Sequence, residues 1–161
     1  MISLIQFIHE KLERKVYIMT GLPGSGKSTW IKKNLHDVKV ISKDLIRQDI
    51  GIMTNQNDKA IGDKTQEKEV KRIHDKLLRQ SISNCDDIAI DNTNIGKTRK
   101  YILSLLRKSG YHLIGVNVKT PLDVCLKRRK DSIPEKIMIQ MNKDLEFLTT
   151  DDCDEIINVD Y

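Results

Sequence analysis

Val16-Tyr17-Ile18-Met19-Thr20 runs directly into Gly21-Leu22-Pro23-Gly24-Ser25-Gly26-Lys27-Ser28-Thr29, and the reading of this junction decides the fold. The apolar run ends at a glycine, as a strand buried on both faces would. From Gly26 to about Leu35 the chain reads as a helix. The loop between them fits G-x-x-x-x-G-K-[S/T] at every fixed position. Glycines there let backbone N–H groups converge on phosphate oxygens with no Cβ in the way. The loop ends at a helix N-terminus, whose partial positive charge favours an anion. Gly21, Pro23, Gly24, Ser25, Gly26, Lys27, Ser28 and Thr29 are therefore the candidate nucleotide-binding residues. Lys27 can reach β- and γ-phosphates, and the Ser28 hydroxyl can ligate Mg²⁺. The pattern implies nucleoside-triphosphate binding and leaves open what is done with the phosphate.

Outward from this loop, strands and helices alternate. Val38–Ile41 reads as a second strand, Asp87–Ile90 as a third, Tyr111–Val118 as a fourth and Ile156–Val159 as a fifth. Between them lie a long helix over Thr65–Ile82, with Val70, Ile73, Leu77 and Ile82 on one face, and another over about Gly96–Lys108, stopped by Gly110. Pro121 and Pro134 each suit the first position of a helix, the second reaching about Leu148. The alternation predicts an α/β fold: a parallel sheet of about five strands with helices on both faces. No linker or repeat divides residues 1–161, so one domain is expected. Its first fourteen or fifteen residues read as an amphipathic helical extension (Leu4, Ile5, Ile8 and Leu12 on one side, Ser3 and Gln6 as a capping box). Residues 50–63 show no period and read as a loop.

Charge and composition narrow the partners. The net charge is +5, but Asp144–Tyr161 carries seven acidic residues and no Lys or Arg, which leaves +12 on the rest. A body that basic suits a polyanion; a lysine-rich solvated surface is the plain alternative. Four Tyr, two Phe and one Trp offer few stacking platforms for bases, so phosphate contacts should dominate the affinity for such a partner. No apolar run approaches the ~20 residues of a membrane span, and the start lacks the pattern of a secretory signal. Cys85, Cys125 and Cys153 are odd in number and without metal spacing, so reduced thiols in the cytoplasm are the simplest expectation.

Residues just past the strands carry the rest of the chemistry, because strand C-termini line the ligand crevice of a parallel sheet. After the second strand comes Ser42-Lys43-Asp44-Leu45-Ile46-Arg47. A carboxylate at Asp44 is placed to orient and deprotonate an acceptor hydroxyl. Arg47, on the same face of a helix starting there, could clamp an acceptor phosphate. Alternatively Asp44 is a helix N-cap and Arg47 a surface residue. After the third strand come Asp91, a candidate Mg²⁺ ligand, and the polar tail Asn92-Thr93-Asn94, a candidate acceptor contact or a turn. Lys127-Arg128-Arg129-Lys130 ends a helix and reads either as dipole compensation or as part of a basic lid over ATP, residues about 127–135. An arginine there would stabilise charge on the transferred group.

Together these segments resemble the 5′-hydroxyl polynucleotide kinases, the family that includes the bacteriophage enzyme and the kinase domain of animal polynucleotide kinase/phosphatases. The resemblance covers roughly Val16–Val159. GLPGSGKSTW is very close to that family's phosphate loop, and ISKDLIRQDI is similar to the segment carrying its general base and acceptor-binding arginine. IDNTN is similar to the animal form; the phage form has its acid one position later, where this chain has Asn92. The resemblance implies a P-loop kinase fold with a basic lid, and ATP and Mg²⁺ as donor and cofactor. The implied partner is a nucleic acid, DNA or RNA, with a 5′-OH end. It implies catalytic roles for Lys27, Asp44 and either Arg128 or Arg129. Acceptor binding falls to Arg47, Asn92 and Thr93, and metal binding to Ser28 and Asp91. No phosphatase-type D-x-D-x-T or ligase-type lysine motif accompanies it, as expected of a kinase alone or one excised from a larger protein. A P-loop kinase for a small metabolite or nucleoside, and a nucleotide-dependent switch with no acceptor chemistry, are the competing readings.

Overall fold

The strand that opens the phosphate loop is the middle of the sheet. In the computed structural model, which describes residues 13–52, 64–93, 96–129 and 132–161, β1 (Lys15–Thr20) pairs with β3 (Ile88–Ile90) on one side and β4 (His112–Val118) on the other. β2 (Lys39–Ile41) and β5 (Glu155–Val159) form the edges, giving the order β2-β3-β1-β4-β5 with every pairing parallel. The three inner strands are nearly continuously buried, hence their unbroken apolar runs, whereas edge strand β5 is partly exposed.

Six helices accompany the strands among the described residues: α1 (Lys27–Asn34), α2 (Lys43–Asp49), α3 (Lys64–Asn84), α4 (Lys97–Lys108), α5 (Leu122–Arg129) and α6 (Glu135–Asp144). The β1–α1–β2 connection runs toward one edge and the later crossovers run back, so right-handed connections place α1 on one face and α3 and α4 on the other. The period-2 alternation of β1 serves both layers. Val16 and Ile18 pack with Leu78 of α3 and Ile102 and Leu106 of α4, while Met19 packs with Ile31 of α1.

Several expectations are corrected. α6 stops at Asp144, not near Leu148, and its cap Leu145 is extended. The reason is the buried Asn117 of β4, whose carboxamide accepts from the Leu148 N–H and donates to the Leu148 carbonyl, both at 2.9 Å. Pro121 and Pro134 each sit one place before their helix, with carbonyls that accept from Cys125 and Met138. The inward face of α3 is Val70, His74, Leu78 and Ser81; Ile73, Leu77 and Ile82 are only partly buried, so two polar residues interrupt the stripe that apolar periodicity picks out. The acidic C-terminal segment is folded down: Arg99 of α4 donates to the Glu146 carbonyl and pairs with Asp152 at 3.1 Å, and Arg107 donates to the Asp152 carbonyl. Glu13 and Arg14 are not helical and Lys15 already belongs to β1; the rest of the expected N-terminal helix, and residues 53–63, lie outside the described residues. Among the described residues no helix is long and apolar enough to cross a membrane.

Candidate active site

The phosphate loop is held by its neighbours as well as by its own glycines. A Cβ on Gly21 would come within 2.6 Å of the Val118 carbonyl oxygen, so only glycine lets the loop leave β1 this close to the end of β4. Ser25 is fully buried; its N–H donates to the Leu22 carbonyl, and its own carbonyl accepts from the Thr120 hydroxyl at 2.6 Å. Thr120 carries no motif, and nothing in its local sequence marks it as a loop support. Gly26 has φ +101° and caps α1 without a side chain, and the first turn holds no acidic residue. Among the described residues no side chain caps the first N–H groups of α1, which suits a phosphate. Pro23 and Gly24 form the partly exposed crest, and the aromatic ring of Tyr161 lies against Gly26.

Lys27 is only 8% exposed. Its ammonium donates to the carbonyls of Gly21 (3.0 Å) and Leu22 (2.9 Å). Burial pushes its pKa below the ordinary lysine range, while the charges of Asp91 and Asp44 push back. Asp91 follows the end of β3, and Asp44 lies in the first turn of α2, which follows the neighbouring strand β2. The Ser28 hydroxyl donates to Asp91 at 2.5 Å, and the Asp91 N–H donates to the Ile41 carbonyl, fastening the end of β3 to β2. A hydroxyl beside a carboxylate is a hard-oxygen pair that fits Mg²⁺, which takes few protein ligands and fills its shell with water and phosphate. Among the described residues no group of three or more His, Cys, Asp and Glu side chains gathers into a metal cage. Thr29 is exposed on α1.

On the other side, Ser42 is the N-cap of α2, accepting from the Leu45 N–H, so Asp44 is not the cap. Asp44 sits in the first turn with its side chain 73% exposed and accepts from Arg47 at 2.6 Å. Arg47 is no free surface residue: Glu67 of α3 grips its guanidinium with two bonds, 2.8 and 3.0 Å. This bond raises the Arg47 pKa and holds Glu67 below the usual carboxylate range. Glu67 is not among the candidates that the sequence offers; only its place one turn into a charged helix hints at it. His74 escapes sequence reasoning too. It is buried, and its Nε2 accepts from the Asn92 amide at 2.9 Å, while Asn92 Oδ1 accepts from the Lys43 N–H at 3.1 Å. Burial, then the charge of Lys43, lowers the His74 pKa to about 4, so the ring is neutral. Asn92 thereby braces the start of α2 against α3. Thr93 is partly exposed beside it, and Asn94 lies outside the described residues.

The basic run packs on the crest of the phosphate loop. Arg128 donates to the Gly24 carbonyl at 3.0 Å, and a Cβ on Gly24 would meet the Arg129 side chain at 3.0 Å. Arg129 is also the arginine whose positive charge lowers the pKa of Lys27. Of the expected lid, Lys127–Arg129 form the last turn of α5 and residues 132–135 lead into α6; Lys130 lies outside the described residues.

A parallel sheet in this order, with a glycine loop running from its central strand to a helix, defines an α/β domain of the P-loop kinase fold. The chain belongs to the AAA domain family, whose model matches residues 16–132. Solved structures agree on the fold. A chain of the Pnkp1/Rnl/Hen1 complex is 18% identical with a TM-score of 0.58, over 72% of this chain and 39% of that one. A sugar kinase from Janibacter sp. HTCC2649 is 19% identical with a TM-score of 0.60, over 92% and 85%. The Mycobacterium tuberculosis APS kinase CysC, in complex with AMPPNP and APS, is 16% identical with a TM-score of 0.52, over 91% and 88%. This chain thus spans well under half of the chain from the Pnkp1 complex and most of the two smaller kinases.

Proposed function

We propose that this protein transfers the γ-phosphate of ATP to the 5′-hydroxyl end of a nucleic acid strand, DNA or RNA. The observation that carries the reading is the Asp44–Arg47 pair. An exposed carboxylate, freed from capping by Ser42, is held by a guanidinium, and its charge, with that of Asp91, opposes the burial that lowers the Lys27 pKa. A nucleotide switch has no need of such a pair. Asp44 orients the 5′-hydroxyl and takes its proton as the oxygen attacks the γ-phosphorus in line; the bond to the β–γ bridging oxygen breaks and ADP leaves. Lys27 neutralises charge on the β- and γ-phosphates. Arg129, with Arg128 beside it, stabilises charge on the transferred group. Ser28 and Asp91 would hold Mg²⁺, which when bound supplies charge neutralisation between the β- and γ-phosphates. Arg47 clamps the phosphate 3′ to the reacting nucleoside, sharing its guanidinium between that phosphate and Glu67, with Asn92 and Thr93 alongside the acceptor. The basic body and the likeness to a chain of the Pnkp1/Rnl/Hen1 complex support a polynucleotide acceptor.

A small-molecule acceptor is the second reading, favoured by the match to the sugar kinase and the APS kinase over most of their lengths. One assay decides: labelled ATP offered with a 5′-OH oligonucleotide, with a panel of small alcohols, and with no acceptor. Label on the oligonucleotide is expected; label only on a small alcohol, or release of phosphate with no acceptor labelled, overturns the reading.

A further inference from the structure

α3 and α4 lie on the same face of the sheet, and between their N-terminal halves runs a cleft of about 450 Å³ that reaches Lys43, the residue before Asp44. Its walls include Lys68, Lys71 and Arg72 of α3 and Tyr101 of α4. The carboxylates of this region are already matched: Glu67 by Arg47, Glu69 by Arg72, and Asp75 by Arg79 and the Tyr101 hydroxyl. Lys43, Lys68 and Lys71 have no salt-bridge partner among the described residues. Lys43 and Lys71 also repel each other. Lys43 is held below the ordinary lysine range by burial and then by the positive charge of Arg47, with Lys71 adding to it and Glu67 alone opposing. Such a cluster is relieved by an anion. The acidic C-terminal segment does not supply one, because Arg99 and Arg107 hold it against another face of α4.

Tyr101 adds a second kind of contact. Tyr101 is 46% exposed, yet its hydroxyl is held twice, accepting from Arg79 at 2.6 Å and donating to Asp75 at 2.9 Å. An exposed ring held in place is a platform for a base, because stacking then costs little ordering. The α3 wall from Lys68 to Leu78 extends about 15 Å at 1.5 Å per residue, and a cleft between two packed helices admits one strand with its bases splayed, not a duplex.

We propose that this cleft receives single-stranded nucleic acid continuing 3′ from the nucleotide at Asp44. Successive backbone phosphates lie on Lys43, Lys71 and Lys68, and one base stacks on Tyr101. The inference rests on the 5′-hydroxyl reading of the site and adds the path of the strand.

The test compares two 5′-OH acceptors, a nucleoside 3′-monophosphate and a single-stranded oligonucleotide, in the full chain and in Lys68→Glu/Lys71→Glu, Tyr101→Leu and Tyr101→Phe. Wild type should prefer the oligonucleotide in kcat/KM. The double charge reversal should lower its use about tenfold or more beyond any loss on the monophosphate. Tyr101→Leu should cost about 5- to 150-fold on the oligonucleotide, and Tyr101→Phe, which keeps the ring but not the two bonds that hold it, should restore part of that loss. Binding of a 5′-phosphorylated oligonucleotide, followed by fluorescence anisotropy, should show a log–log salt slope shallower by about 1.4 in the double variant, two single-strand phosphate contacts having been lost. Equal losses on both acceptors, or oligonucleotide binding indifferent to the charge reversal in proteins with unchanged melting, overturn the cleft. An oligonucleotide that binds in a Lys68/Lys71-dependent way but is never phosphorylated overturns the 5′-hydroxyl reading instead.

Discussion

Gly21 and Asp44 follow the C-terminal ends of two strands of one sheet, but they are held by different means. The phosphate loop is held at its own backbone atoms: Gly21 lies close to the Val118 carbonyl, Ser25 bonds through its N–H to Leu22 and through its carbonyl to the Thr120 hydroxyl, and the Gly24 carbonyl accepts from Arg128. The side that we propose for the acceptor is held by side chains of α2, α3 and the loop after β3: Asp44 to Arg47, Arg47 to Glu67, and Asn92 between Lys43 and His74. A backbone cradle presents the same N–H groups whatever the side chains do, which suits a donor whose triphosphate does not vary. A web of ion pairs and side-chain hydrogen bonds can open and re-form around an acceptor, and its residues can change without rebuilding the loop. Substitutions on the donor side should therefore strike every acceptor alike, and those on the acceptor side should discriminate among acceptors.

The sharpest break of this contrast comes from Lys27→Ala. Transfer to any acceptor is expected to fall by about 10³-fold or more, with the thermal melt retained, because the change removes a buried charge and leaves the loop glycines in place. Near-wild-type turnover in the folded variant would sink the mechanism. Asp44→Asn is expected to lower kcat by about 10²-fold or more, with the KM for ATP little changed. A collapse of ATP affinity with kcat intact would make Asp44 a nucleotide or metal ligand. Arg47→Ala then tests discrimination: kcat/KM should fall about 10- to 150-fold for a 5′-OH nucleoside 3′-monophosphate, on the scale of a charge-assisted hydrogen bond, and much less for the bare nucleoside. An equal loss on both would mean that Arg47 does not read the phosphate.

Two smaller effects sharpen the contrast through stability. Unfolded, His74 titrates near 6.5; buried, it holds out to about 4. Between those values the unfolded chain takes the proton and the folded chain does not. The stability tied to neutral His74 is thus whole above pH 6.5 and drains as pH falls toward 4, by at most about 3 kcal/mol. Protonation also removes the acceptor that Asn92 uses. Urea midpoints at pH 7 and pH 5 should converge in His74→Gln relative to wild type; the same pH dependence in both proteins would assign it elsewhere. Thr120→Val should cost about 1 kcal/mol, the net worth of one hydrogen bond, and raise the KM for ATP with no preference among acceptors. An acceptor-dependent change there would blur the division between the two sides.

Much of the donor side is legible in the order of residues alone. The apolar run Val16–Thr20, the glycine spacing and the Lys27-Ser28 pair act over a few residues, and their backbone geometry follows from local sterics. The positions of Asp44, Arg47 and Asp91 after strands are legible for the same reason. Which of Ser42 and Asp44 caps α2 is not, because either can accept from the first-turn N–H groups and the backbone turn decides between them. Nor is the end of α6: the stretch through Leu148 keeps a helical pattern of apolar residues, and only the carboxamide of Asn117 on a different strand draws Leu148 out of it.

By itself, then, the sequence determined the order of elements, the parallel sheet and the phosphate cradle, since all of these rest on short-range periods and glycine conformations. Only the tertiary structure decided the partners. Glu67 reaches Arg47 across 20 residues, His74 reaches Asn92 across 18, and Thr120 reaches Ser25 across 95. A charged or polar side chain on a helix has many possible partners in sequence, and packing of α3 against α2 and of β4 against the loop selects one. That selection buried a histidine against Asn92 and set a glutamate on an arginine, beside Asp44.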